Sequence, residues 1–120
     1  MEKVTAVASP KLGLEKINGR KVLKIRKSLT YQNCEEVEAT FKDSLDQQKN
    51  EIIIDFSKIS FLDSAGLELM LQVQNELKQR GGALKLVQLN ELCLDILKAT
   101  QLINIFQIYE DMNKAIKDNI

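Results

Sequence analysis

The sequence predicts a single α/β domain whose mixed β-sheet opens with an antiparallel hairpin. Asn18-Gly19 separates two apolar runs, and this dipeptide is typical of a type I′ turn between paired strands. Beyond the hairpin, predicted strands alternate with amphipathic helices, which is typical of parallel strands covered by helices. A chain of 120 residues is long enough to bury one core without disulfides or metals.

The first strands follow from alternating apolar residues on either side of the turn. Leu12, Leu14 and Ile17 precede it, and Val22, Leu23 and Ile25 follow it. Residues 1–11 contain the only proline, Pro10, and are predicted to be an N-terminal extension. The domain itself is therefore expected to span residues 12–120.

Asn33 predicts the start of the first helix. Its side chain is expected to cap the helix while Glu36 reaches back to the cap, as in a capping box. The predicted buried face repeats at helical spacing through Cys34, Val37, Phe41 and Leu45.

The later elements follow from similar local signals. Glu51–Phe56 is a β-branched run typical of a central strand, and Gly81-Gly82 is a plausible end for the helix that begins near Ser64. Further elements are predicted as a strand over 83–89, a helix from Asn90, a strand over 105–109 and a last helix over 111–119. The total is about four helices.

Composition excludes several classes of function. The chain has 17 basic and 17 acidic residues, so no net charge attracts nucleic acid. It has no histidine, which removes histidine-based catalysis, histidine metal ligands and a histidine phosphorelay site. No apolar run approaches the roughly 20 residues of a membrane-spanning helix. We expect a cytoplasmic protein without cofactor, metal or membrane insertion.

An enzyme is not expected. The carboxylates show no convincing pairing, and no Gly-x-x-x-x-Gly-Lys loop is present for a nucleotide. The two cysteines form no metal pattern and are predicted to be small buried hydrophobes. Cys34 lies in a first helical turn, where a thiolate is favoured, so redox sensing is a less favoured alternative.

The segment Phe61–Leu67 places Ser64 where a predicted buried stretch gives way to a helix. The free N–H groups and positive dipole end of a helix N-terminus suit a phosphate. At 100° per residue, the core face of this helix is predicted to contain Gly66, Leu69, Met70, Val73 and Leu77. The outward stripe is predicted to contain Ser64, Glu68, Leu71 and Asn75.

A purely structural interpretation of the same residues is open at this point. Ser64 can be an N-cap, and Leu71 can be an ordinary exposed leucine. Asp63 can stabilise the helix start electrostatically, and Gly66 can let the helix approach the sheet closely.

The segment Asp55–Leu67 closely resembles the signature of the STAS domain, which bacterial anti-sigma factor antagonists share with the tails of sulphate transporters. The similarity continues through Arg80–Val87, Leu97–Leu102 and Phe106–Tyr109. The resemblance covers the chain from about Leu12 to the C-terminus. It implies a regulatory protein that binds an anti-sigma factor and thereby frees a sigma factor.

The resemblance also implies the site. Ser64 stands where the family serine is phosphorylated by the anti-sigma factor acting as a serine kinase, and a serine phosphatase resets it. The expected partner-binding residues are Thr30, Asp63, Ser64, Ala65, Gly66, Glu68, Leu71 and Asn75.

The loop after the second strand departs from the family pattern. Switched members commonly carry Gly-x-Leu-Asp there, whereas this chain has Lys27-Ser28-Leu29-Thr30. That family loop lies near the serine and helps to contact the kinase. The departure favours an alternative function, a STAS subunit of a lipid- or anion-transport or signalling assembly without phosphorylation.

Overall fold

The computed structural model describes residues 12–45 and 51–118, which form five strands and four helices. The predicted N-terminal extension over residues 1–11 lies outside the described residues. The elements are β1 Leu12–Ile17, β2 Arg20–Ile25, α1 Cys34–Ser44, β3 Glu51–Asp55, α2 Ser64–Gln79, β4 Ala83–Val87, α3 Glu91–Ala99, β5 Gln107–Tyr109 and α4 Met112–Lys117.

The sheet has the order β1-β2-β3-β4-β5. β1 and β2 are antiparallel and every later pair is parallel, so the predicted mixed sheet with an opening hairpin is confirmed. The hairpin turn has positive φ angles at both Asn18 (52°) and Gly19 (78°), as a type I′ turn requires. No helix within the described ranges is both long and apolar enough to cross a lipid bilayer.

Alternating residues of the strands build two apolar layers on the two faces of the sheet. The larger core packs α1, α2 and α3 against one face, which includes Leu23, Ile54 and Leu86. The opposite face carries a smaller cluster of Val22, Ile53, Val87 and Ala115, which α4 covers. Because β2, β3, β4 and β5 are parallel, their carboxyl ends all point to one edge of the domain, where the loops leading into the helices lie.

Three helix ends confirm local signals in the sequence. Asn90 and Asp111 accept hydrogen bonds from the N–H groups of Cys93 and Lys114, and so cap α3 and α4. At the end of α2, Gly81 has a φ of 75°, and the Gly82 N–H donates to the Leu77 carbonyl at 2.7 Å. This is a Schellman motif, which needs the left-handed backbone that glycine adopts easily.

The predicted cap of α1 is wrong. The Asn33 side chain makes no cap hydrogen bond; its Oδ1 instead accepts from the Thr30 N–H at 2.9 Å, and its Nδ2 donates to the Ser28 carbonyl. The Asn33 amide therefore organises the preceding loop. Leu45, predicted to lie on the helical face, is half-buried but follows the last helical residue.

Other boundaries also differ from the sequence-based expectations. β4 ends at Val87 because Gln88 has a φ of 59°, which breaks the extended backbone before Leu89. β5 begins at Gln107, since the Ile105 N–H donates to the Leu102 carbonyl in the turn after α3. α4 ends at Lys117, and Asn119 lies outside the described residues.

A fully buried lysine joins α4 to the sheet. Lys85, in β4, is 0% exposed, and its Nζ donates to the Ala115 carbonyl at 2.7 Å and to the Asp118 carbonyl. Glu51 Oε1 lies 3.5 Å away, and Arg20 binds the other oxygen of Glu51 at 2.7 Å. The ammonium group thus satisfies carbonyls at the C-terminal end of α4, where the helix dipole favours a cation.

Lys85→Met should lower the free energy of unfolding by about 3 kcal/mol, because it leaves buried carbonyls of α4 without a donor. The exposed Lys58→Met is the matched control and should change it by about 0.5 kcal/mol or less. Urea denaturation of both variants measures the difference. Equal losses would show that the buried ammonium group does not hold α4.

Candidate functional site at the start of helix α2

The loop after β2 runs alongside the segment that leads into α2. Leu29 and Leu62 form an isolated parallel bridge, with the Leu29 N–H donating to the Phe61 carbonyl and the Asp63 N–H donating to the Leu29 carbonyl, both at 3.2 Å. Both leucine side chains are buried, at 0% and 5% exposed. The pairing anchors the loop in the core and places it beside Ser64.

The Asp63 carboxylate uses its two oxygens for two different purposes. Oδ1 accepts the Gly66 N–H at 2.9 Å and caps α2, and Oδ2 accepts the Tyr31 N–H at 2.9 Å. The first bond satisfies a free donor at the helix start, and the second fastens the loop after β2. Asp63 is therefore the N-cap, and Ser64 is the first helical residue rather than the cap.

The hydrogen bonds to Asp63 favour its ionised form. Burial acts to raise the pKa of Asp63, but the backbone N–H groups of Gly66, Tyr31 and Ala65 outweigh it, and the pKa lies below the ordinary value. The ionised carboxylate thus stabilises the fold above the unfolded pKa of about 3.9. That stabilisation is lost as the pH falls through the lower folded pKa.

Gly66 allows the loop backbone to approach α2 closely. A Cβ built on Gly66 would lie 2.3 Å from the Leu29 carbonyl oxygen, far inside van der Waals contact. The sequence predicts that Gly66 lets the helix approach the sheet closely; the close neighbour is instead the Leu29 carbonyl in the loop after β2. Gly66 is buried, so it can shape the predicted partner surface without belonging to its exposed part.

Thr30 serves the turn that precedes α1. Its hydroxyl oxygen accepts from the Gln32 N–H at 3.3 Å, and its carbonyl oxygen accepts from the N–H groups of Asn33 and Cys34 at 3.0 Å. Thr30 is half-buried, next to Tyr31 whose N–H binds Asp63. The loop predicted to lie near the serine is therefore held there.

The two faces of α2 largely follow the predicted projection. Its buried residues are Gly66, Leu69, Met70, Val73 and Leu77, as predicted. Ser64, Glu68 and Asn75 are exposed and Ala65 is half-buried. The predicted solvent position of Leu71 is wrong: Leu71 is half-buried and packs against the main core. The turn after α3 approaches this side of α2, where Gln74 Nε2 donates to the Ile105 carbonyl at 2.7 Å.

Redox sensing by Cys34 is disfavoured. Burial raises the pKa of the Cys34 thiol, and the negative charges of Asp63, Glu38 and Glu68 raise it further. A thiol with a raised pKa forms little of the reactive thiolate. Cys93 is fully buried and also has a pKa raised by burial, which agrees with its predicted role as a small hydrophobe.

Two aromatic residues beside Ser64 were absent from the sequence-based site. Tyr31 is 73% exposed and Phe61 is 43% exposed. In the extended segment before Asp63, Leu62 is buried, so its neighbour Phe61 had to point away from the core. That alternation was a usable signal for Phe61, whereas the exposure of Tyr31 depends on the loop conformation.

The site offers an exposed hydroxyl at a helix start. Among residues 12–45 and 51–118, no group of three or more cysteine, aspartate or glutamate side chains is arranged to hold a metal ion. Ser64 is exposed next to an ionised cap, so an external donor can reach its hydroxyl.

Comparison with known proteins identifies the family. The STAS domain model matches residues 11–115, nearly the whole chain. The chain belongs to the STAS domain family. Within that family, it is 26% identical over 105 residues to BtrV of Bordetella bronchiseptica, whose name describes an anti-sigma factor antagonist. That match covers 88% of this chain and 90% of BtrV.

Solved STAS structures share this fold. The Thermotoga maritima protein TM1081, described as an anti-sigma factor antagonist, superimposes with a TM-score of 0.82 at 23% identity, covering 88% of this chain and 92% of TM1081. Phosphorylated SpoIIAA of Bacillus gives a TM-score of 0.61 at 19% identity, covering 97% of this chain and 96% of that one. At these identities the likeness establishes the fold.

Gly66→Ala should lower the free energy of unfolding by about 1–3 kcal/mol, because the added methyl group meets the backbone carbonyl of Leu29. In an unobstructed helix the same change is stabilising, by up to about 1 kcal/mol. Gly13→Ala is the control, since its Cβ would meet only the flexible Arg26 guanidinium at 3.3 Å. A stabilised Gly66→Ala protein in thermal unfolding would contradict the close approach.

Proposed function

We propose that this STAS protein is an anti-sigma factor antagonist that acts in the cytoplasm and is switched by phosphorylation of Ser64. Its partner would be an anti-sigma factor that is also a serine kinase, and a serine phosphatase would restore the binding form. The observation that carries the proposal is the exposed Ser64 hydroxyl at the first position of α2, beside the ionised Asp63 cap. The similarity to BtrV supports the same role.

A phosphate on Ser64 would change the surface without disrupting the core. It would add about −1.5 to −2 charges between the Asp63 carboxylate and the exposed Glu68. Docking removes water from such a surface, so it strengthens the repulsion among these anions and adds the cost of desolvating the phosphate. The phosphorylated protein would therefore lose its partner and keep its fold.

The same phosphate would act on the loop after β2. It would compete with Asp63 for the N–H groups at the start of α2 and repel the carboxylate that holds Tyr31. Ser64, Asp63 and the loop would thus respond as one unit. The proposed binding surface comprises Thr30, Asp63, Ser64, Ala65, Glu68 and Asn75, with Gly66 and the half-buried Leu71 supporting it from beneath.

Thr30 bears on which kinase would recognise the site. The aspartate common at this position in switched members of the family would place another anion beside Ser64, whereas Thr30 is neutral and its hydroxyl serves the turn. The cognate kinase would therefore have to accept a loop that presents Lys27 and Thr30. A kinase that recognises a relative with the aspartate would not be expected to recognise this loop equally well.

Ser64→Ala should abolish labelling when the protein is incubated with its purified cognate anti-sigma factor and radioactive ATP. Ser60→Ala, which removes an exposed serine four residues earlier, is the matched control and should be labelled like the wild type. Ser64→Asp should weaken binding of the anti-sigma factor by about tenfold or more with little change in melting temperature. Label retained by Ser64→Ala would refute the site.

The alternative, a structural or regulatory subunit of a transport or signalling assembly, predicts a different result. In that function Ser64 need not be modified, so the wild type and Ser64→Asp would bind the partner equally. The proteins encoded beside this one offer a second comparison: a kinase and a phosphatase favour the switch, and a permease with an ATPase favours the assembly.

A further inference from the structure

Two exposed aromatic side chains flank the Asp63–Ser64 junction. The Tyr31 N–H binds Asp63 Oδ2 at 2.9 Å, and the Phe61 carbonyl accepts the Leu29 N–H at 3.2 Å. Tyr31 follows Leu29 by two residues, and Phe61 precedes Ser64 by three. These backbone bonds hold both residues at the segment that leads into Ser64, and both side chains are largely exposed. We call Tyr31 and Phe61 the aromatic pair.

Exposed large hydrophobic residues are concentrated at this end of the domain. Leu92, 53% exposed, lies in the first turn of α3, which Asn90 links to the Ser60 carbonyl at 3.0 Å. Ile105, 45% exposed, lies elsewhere: its carbonyl accepts from Gln74, ten residues along α2 from Ser64, or about 15 Å. Among the described residues, three of the four exposed large hydrophobic residues therefore lie at the end of the domain where α2 and α3 begin.

The surface around the aromatic pair is negatively charged. Asp63 is ionised, Glu68 is exposed one turn after Ser64, and Glu35 and Glu36 are exposed in the first turn of α1. Burial raises the pKa of the Cys34 thiol, and the negative charges of Asp63, Glu38 and Glu68 raise it further. Arg26 and Lys27, both exposed, are the basic residues of the adjoining loop, so acidic side chains still outnumber basic ones here. A partner surface complementary to this one needs an apolar pocket for the two rings and basic side chains around that pocket.

We propose that the aromatic pair inserts into an apolar pocket of the anti-sigma factor, and that basic side chains at the rim of that pocket face Glu68 and the first turn of α1. The inference deepens the function proposed above and rests on it. Exposed aromatic residues at the centre of an interface commonly supply most of the binding energy, and rim charges mainly increase the association rate. A phosphate on Ser64, three residues after Phe61 and next to the Asp63 that holds Tyr31, then blocks binding by its bulk and its bound water.

The test compares dissociation constants for the purified cognate anti-sigma factor by calorimetry. Tyr31→Ala and Phe61→Ala should each weaken binding by about tenfold or more. Ile105→Ala, the matched control, and Tyr31→Phe, which keeps the ring, should remain within about twofold of the wild type. Melting temperatures of all variants establish that the fold is retained, and Phe61→Gln replaces Phe61→Ala if that variant is unstable.

The rim charges have a separate kinetic readout. Raising the salt concentration from about 50 to about 500 mM should slow association of the wild type, and Glu68→Gln should reduce that salt dependence. If the association rate does not depend on salt, the partner's pocket does not have the proposed basic rim. If the dissociation constants of Tyr31→Ala and Phe61→Ala both lie within about twofold of the wild-type value, the proposed insertion of the aromatic pair is refuted.

A parallel measurement with Ser64→Asp separates this inference from the proposed function. If Ser64→Asp loses binding but the aromatic variants do not, the inference fails and the switch stands. If the aromatic variants lose binding but Ser64→Asp does not, the aromatic contact is supported and the switch is refuted. A wild-type protein that does not bind the anti-sigma factor refutes both.

Discussion

The Asp63 carboxylate is the interaction on which the site depends. One oxygen caps α2 and the other holds the backbone of Tyr31, so a single side chain fixes both the start of the helix and the adjoining loop. The Leu29–Leu62 bridge supplies the buried half of the same junction. Gly66 allows the loop and the helix to lie this close together, because any larger residue would collide with the Leu29 carbonyl. Cap, bridge and close approach together determine what is exposed around Ser64.

The residues that stabilise the domain are different from the residues exposed around Ser64. α1, α2 and α3 share one large core, and α4 is held on the opposite face by Lys85 and its carbonyl partners. Tyr109 adds to this second face: burial and its hydrogen bond to Asp118 raise the pKa of Tyr109 to about 12, so its hydroxyl remains a donor. The charge at Ser64 can therefore change without removing an interaction from either core.

Features encoded by neighbouring residues were predictable from the sequence. The Asn18-Gly19 turn, the buried face of α2 and the glycine end of that helix each depend on local backbone geometry or helical periodicity. The mixed sheet followed from the alternation of strands and helices. The position of Ser64 at the start of α2 also followed, because the apolar periodicity of the helix begins immediately after it.

Features that depend on the conformation of a loop or on residues distant in the sequence were not predictable. Asn33 is a residue type that often caps helices, but the Ser28 carbonyl and the Thr30 N–H bind its side-chain amide instead. Leu71 lies on the outward side by projection, yet residues that pack beside α2 cover it in part. From the sequence Lys85 would be expected at the surface, whereas in the structure its buried ammonium group binds carbonyls at the end of α4. The bond from Tyr31 to Asp63 joins residues 32 positions apart, and no periodicity reveals it.

The central claim is that one ionised carboxylate couples the loop after β2 to the start of α2. An NMR pH titration of the Gly66 and Tyr31 amide groups tests it directly, with Asp63→Asn as the comparison. Both amide resonances should shift with one common pKa below the ordinary aspartate value of about 3.9, and both shifts should vanish in Asp63→Asn. Titration of Gly66 without Tyr31, or of the two with different pKa values, would contradict the coupling.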